Sequence, residues 1–151
     1  NQIVLAANWV AHPDQRERLE STLARIRLVA PGAQVLLVGN LPRYYPSLPS
    51  QIVEAGQGPH AASTVHAHLD SVRSEDGILR TIAERAGVVF VDVINAICRE
   101  NQCPGMVRWQ EGFQPYSWDF GHLTAAGSVT VVEQLPLGPT RRALTTLPPP
   151  R

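Results

Sequence analysis

Asp119 and His122 stand three residues apart in "SWDFGHLTAAGS", residues 117 to 128. An aspartate at that spacing can hold one ring nitrogen of a histidine while the other nitrogen faces a hydroxyl proton. Its charge also favours the imidazolium that forms when the proton moves. That arrangement is the base half of a nucleophilic site. The same spacing fits a polar turn without chemistry. Position favours chemistry: the pair follows the last apolar run and directly precedes a helix expected over Ala125 to Gln134, with Thr124 as its N-cap.

Other residues have weaker claims. His66-x-His68 is a potential metal pair, but on a helix an i, i+2 pair diverges, and no Asp, Glu or Cys pattern completes a site. No metal and no cofactor is implied. Tyr44 and Tyr45 in "LPRYYPSLP", with Trp109 and Trp118, suit a rim that stacks on sugar or touches an acyl group. They equally suit a cover over the core beneath a long loop. Asp92, near the end of an apolar run, reads as a residue that satisfies backbone groups.

The elements that would position these residues are legible from periodicity. Three β-branched apolar runs, "QIVLAA" at 2 to 7, "QVLLVG" at 34 to 39 and "VVFVDV" at 88 to 93, are continuous, as strands buried on both faces are. Between the first two, "HPDQRERLESTLARIRLVAPG" reads as a helix. Asp14 and Glu17 stand at capping-box spacing, Leu19, Leu23 and Ile26 share a face, and Pro31-Gly32 is the stop. A second helix is expected over Thr64 to Ala86, ended by Gly87. The Pro, Gly and Ser-rich stretch from Asn40 to His60 leaves the carboxyl end of a strand, where open α/β sheets place ligands. The expected architecture is a parallel sheet with helices on it, over residues 1 to 135. Residues 136 to 151 are expected to be a Pro-rich flexible tail.

Composition narrows the class. A chain of 151 residues supports one ordinary domain. Thirteen basic residues balance thirteen acidic ones without a basic patch, which argues against a nucleic-acid partner. No apolar run approaches the ~20 residues that span a bilayer. Cys98 and Cys103 bracket "CRENQC", and their spacing leaves open a local disulfide or two free thiols. A disulfide would mean an oxidising compartment. The first strand begins at residue 2, so its outer edge should be apolar and unprotected, which predicts a missing segment or a partner chain pairing with residues 2 to 7.

"DFGHLTAAGS", preceded by "VDVINAIC" and a loop closed by a second cysteine, resembles the carboxyl half of the SGNH branch of the GDSL hydrolase superfamily. More narrowly it resembles the extracytoplasmic SGNH domains fused to membrane acyltransferases that O-acetylate bacterial surface glycans. The resemblance covers about residues 2 to 135 and rests on D-x-x-H-L-T, the paired cysteines and "VLAANW". It implies a three-layer α/β/α parallel sheet of SGNH, flavodoxin-like, type that lacks its amino-terminal strand or strands. It implies His122 as general base, Asp119 as its orienting partner, and Asn8 as an oxyanion-hole amide, with the alternative that Asn8 only orders the strand end. In "AANW", Ala6 and Trp9 stand where the family has Gly and Asp.

The family's nucleophile is a serine in a G-D-S block on its first strand. The serines here are Ser21, Ser47, Ser50, Ser63, Ser71, Ser74, Ser117 and Ser128, and none follows Gly-Asp. Ser117 has neither a strained elbow nor a helix N-terminus to activate it. The chain alone is therefore expected to be inactive. With the missing segment it would be a serine O-acyltransferase or esterase acting on acylated carbohydrate in the periplasm or outside the cell. The rival expectations are a non-catalytic glycan-binding domain and a regulatory domain docking on a membrane acyltransferase.

Overall fold

The computed structural model describes residues 1–9, 12–55 and 64–135. The proposed tail and Ser63 lie outside the described residues. The chain divides into two compact units, one of residues 1–41 and 70–94, the other of residues 42–69 and 95–151.

The three apolar runs form one parallel sheet in the first unit. Strands β1 (Gln2–Leu5), β2 (Gln34–Val38) and β4 (Val89–Val91) lie in the order β1-β2-β4. Ile3 is opposite Val35 and Leu5 opposite Leu37, while Leu36 and Val38 meet Val89 and Val91. Val35, Leu36, Leu37 and Val38 are all buried, so the central strand is covered on both faces, as its unbroken apolar run required. One face carries α1 (Pro13–Val29) and α3 (Asp70–Ala86): Leu19, Leu23, Leu79, Ile82 and Ala83 pack with Val35 and Leu37. Burying one such leucine contributes about 2 kcal/mol. Val4 on β1 is partly exposed, and β1 pairs with β2 alone among the described strands.

The helix boundaries differ from expectation for local reasons. In α1, His12 is the N-cap without a side-chain cap bond, and Pro13 occupies the first turn. Proline suits that position because its missing N–H has no intrahelical partner there. Asp14 therefore lies inside the helix, not at its cap, and the expected capping box is not formed. The second helix starts at Asp70, not Thr64, because Thr64–His66 is a strand, β3. Helix α3 ends as expected at Gly87, whose φ of 57° falls in the left-handed region. There the Val88 N–H reaches the Ala83 carbonyl at 2.9 Å.

The second unit is built from short pieces. Helix α2 (Leu48–Glu54) occupies part of what the sequence presents as loop. β3 pairs antiparallel with β5 (Gln102–Pro104), and β6 (Met106–Trp109) forms a hairpin with β7 (Gly112–Pro115). The unit boundary falls within α4 (Val93–Ile97). Cys98 and Cys103 are joined in a disulfide, which closes the expected short loop before β5. Closing so small a loop is worth about 2 kcal/mol. Helix α5 (Ala125–Gln134) starts where the sequence placed it, with Thr124 Oγ1 accepting from the Gly127 N–H at 3.0 Å. No described helix is long and apolar enough to cross a membrane.

Candidate active site

The segment from Ser117 to Thr124 is a turn pegged at every step. The Trp118 N–H donates to the His122 carbonyl at 2.8 Å, and Ser117 and Leu123 form an isolated bridge. Thr124 donates its hydroxyl to the Pro115 carbonyl at 2.7 Å while capping α5. Helix α5 lies so close to this strand end that a Cβ on Gly127 would overlap the Tyr116 carbonyl oxygen. Only glycine lets the helix start there, and the helix start fixes the turn.

Within the turn, one carboxylate organises everything. Asp119 Oδ1 accepts from the backbone N–H groups of Gly121 and His122, both at 2.9 Å. Oδ2 is 2.8 Å from His122 Nδ1. The backbone bonds from His122 and Gly121, followed by the imidazole, hold the carboxyl at about 2, below its ordinary 3.8. Asp119 is thus ionised throughout the neutral range, and an ionised carboxylate only accepts. Nδ1 therefore carries the ring proton, and neutral His122 presents a lone pair on Nε2. That nitrogen has no hydrogen-bond partner among the described residues, and the His122 side chain is 75% exposed.

Ser117 does not meet this base. It is fully buried, and its hydroxyl donates to the carbonyls of His122 at 2.7 Å and Asp119 at 3.3 Å. The hydroxyl braces the turn from beneath. Ser47 and Ser50 bond to each other at 2.9 Å. Ser21 lies on α1, Ser71 and Ser74 on α3, and Ser128 on α5.

The aromatic candidates separate. Tyr44 is completely buried, and its hydroxyl donates to the Pro104 carbonyl at 2.9 Å, so it anchors the loop and is not a rim residue. Burial pushes its phenol up. Its neighbour Tyr45 is 54% exposed and Trp118 68% exposed. Tyr45 stacks on Phe120 with ring centroids 5.9 Å apart and meets His68 edge-on at 5.7 Å. Phe120 meets His122 edge-on at 5.9 Å. Phe120 and His68 carry no sequence signal beyond their place beside D-x-x-H and in the His66-x-His68 pair.

That histidine pair lies on and just after a strand. Its two side chains fall on the exposed side, with Ala67 buried between them, and the rings are 6.3 Å apart. The expected helical divergence does not apply. Among the described residues, no group of three or more His, Cys, Asp or Glu could hold a metal ion.

In the first unit, Asn8 is exposed just beyond β1. The next residue is pinned to the end of β2: the Trp9 N–H donates to Asn40 Oδ1 at 2.9 Å and its indole N–H to the Val38 carbonyl at 2.8 Å. Asn40 is in turn held by Asp76, whose Oδ1 accepts from the Asn40 backbone and side-chain N–H groups, each at 2.9 Å. Asp76 is 5% exposed, and its Oδ2 has no hydrogen-bond partner among the described residues. Burial raises its carboxyl above the ordinary range against the two bonds from Asn40. Neither Asn40 nor Asp76 stands out in the sequence. Asp92, expected to satisfy backbone groups, forms an ion pair with Arg80.

Residues 1–136 match the family model described as SGNH domain (fused to AT3 domains). The fold is similar to the lipopolysaccharide acetyltransferase periplasmic domain from Salmonella ser. Paratyphi A, with a TM-score of 0.65 and 18% sequence identity. The match covers 88% of this chain and 53% of that one, so the chain spans about half the length of that structure. No curated protein matches the sequence.

Proposed function

We propose that this chain, which belongs to the family of SGNH domains fused to AT3 domains, carries the base half of a Ser-His-Asp acyl-transfer site. The substrate class is O-acetylated carbohydrate of the bacterial surface, met in the periplasm or outside the cell. The disulfide supports an oxidising compartment. The carrying observation is the orientation of His122: Nδ1 is bound to an ionised carboxylate and Nε2 is open.

The nucleophilic serine is proposed to come from outside these residues. An amino-terminal segment or a partner chain would supply it. Nε2 takes the proton from that hydroxyl as its oxygen attacks the acyl carbonyl, forming a tetrahedral oxyanion. Collapse of the oxyanion expels the donor alkoxide, which receives the proton from the imidazolium, and leaves an acetyl ester on the serine. A sugar hydroxyl or water then loses its proton to Nε2, attacks the ester, and regenerates the serine. Asp119 remains a carboxylate throughout and favours each imidazolium. An amide donor is proposed to meet the oxyanion. One such donor is commonly worth about 3 kcal/mol in the transition state.

Labelling with a fluorophosphonate serine probe tests the reading. Residues 1–151 should take no label. A chain extended at its amino end should label, and His122→Ala should slow that labelling. Label on Ser117 would contradict the proposal.

A second reading draws on the engagement of Ser117 with two carbonyls and the lack of any described hydroxyl on Nε2. It makes this a non-catalytic glycan-binding or regulatory domain that docks on a membrane acyltransferase. An extended chain that never labels would select it.

A further inference from the structure

We infer that Tyr45 and Phe120 form a carbohydrate acceptor subsite beside His122, taking the C–H face of a pyranose ring. Its link to acyl transfer rests on the reading above, while the binding itself does not.

The two rings are nearly parallel, at 13°, with centroids 5.9 Å apart. They are 54% and 44% exposed, so they do not serve as core. Exposed aromatic side chains are ordinarily free to reorient, and stacking on them then loses much of its gain to ordering. Here the backbone beneath them is fixed. The Tyr44 N–H donates to the Phe120 carbonyl at 2.8 Å and the Leu48 N–H to the Asp119 carbonyl at 3.1 Å. Buried Tyr44 anchors the same segment, and the His68 N–H holds the Arg43 carbonyl at 2.9 Å. The pair is pre-ordered without being covered.

The flanking groups select the occupant. His68 Nε2 is 3.0 Å from the Tyr45 carbonyl, an acceptor, so Nε2 carries the proton and the neutral ring leaves Nδ1 as an acceptor. His122 Nε2 is an acceptor at the other end of the row. An exposed, stacked aromatic pair between two hydroxyl acceptors matches a pyranose, which has an apolar C–H face for an open ring surface and a rim of hydroxyls. An acyl chain gains from enclosure, which this open row does not provide.

The test is an NMR titration of the chain with a panel of probes: methyl glycosides of glucose, mannose, galactose and rhamnose, with octanoate as the acyl-chain comparison. At least one glycoside should shift the ring signals of Tyr45, Phe120 and His68 saturably, and octanoate should not. Tyr45→Ala and Phe120→Ala should each weaken that binding roughly tenfold, and Tyr45→Phe should preserve it. Should an alanine variant unfold, the shifts in the unaltered chain still decide. No shift at these rings with any glycoside, a stronger response to octanoate, or unchanged binding by a folded Tyr45→Ala chain would overturn the inference. Binding without fluorophosphonate labelling of the extended chain would remove the catalytic reading and leave the subsite standing.

Discussion

Asp76 in the first unit and Asp119 in the second each receive two N–H donors on a single carboxylate oxygen. Their chemistry nevertheless runs in opposite directions. Asp119 keeps its contact with water and gains an imidazole on its second oxygen, so its carboxyl falls to about 2. Asp76 has lost water, its second oxygen meets no donor among the described residues, and its carboxyl rises. At Asp119 the hydrogen bonds set the sign, and at Asp76 desolvation outweighs them. The exposed carboxylate is suited to orienting a base that must change charge. The buried one ties Asn40, and through it Trp9, to the end of the sheet.

The contrast breaks most sharply under substitution. Asp119→Asn should leave the fold intact yet lower acyl transfer by the extended chain roughly 10⁴-fold, because the amide no longer enforces the Nδ1–H tautomer. A loss under tenfold would mean that His122 needs no orienting partner. Asp76→Ala should do the reverse. It strands two buried N–H groups of Asn40 and should cost about 3 kcal/mol in urea unfolding of residues 1–151. A cost near zero would show that water replaces the carboxylate.

Gly127→Ala sharpens the same comparison from the turn's side. The added methyl meets the Tyr116 carbonyl and should cost about 2 kcal/mol while displacing the turn that carries Asp119 and His122. The smallest effect is in pH. The stabilisation from ionised Asp119 is fully present above its ordinary 3.8 and is lost as pH falls through about 2. For Asp76, burial favours the protonated form, an advantage present below the ordinary value and lost as pH rises through the raised one. Carboxyl-carbon NMR titration should place the two midpoints on opposite sides of 3.8.

The parallel sheet was legible because β1, β2 and β4 are continuous apolar runs, and α5 because Thr124 is a strong cap. The small antiparallel pairs were not. They are three or four residues long and partly exposed, and the β6–β7 turn is Gln110-Glu111, which carries no Asn-Gly signal even though Gln110 takes a φ of 52°. The Asp119–His122 contact was legible because three residues close a turn. Asp76 and Asn40 were invisible because 36 residues separate them and only the fold joins them. Tyr44 and Tyr45 look alike in sequence, yet one is buried with its hydroxyl on the Pro104 carbonyl and the other is exposed, a difference that only the fold decides.

The central claim is that Asp119 fixes which ring nitrogen of His122 is open, and long-range ¹⁵N–¹H correlation of the neutral imidazole in residues 1–151 tests it most directly. The proton is expected on Nδ1 with a bare Nε2, and the preference should be lost in Asp119→Ala. A proton on Nε2, or a tautomer ratio that Asp119→Ala leaves unchanged, would contradict it.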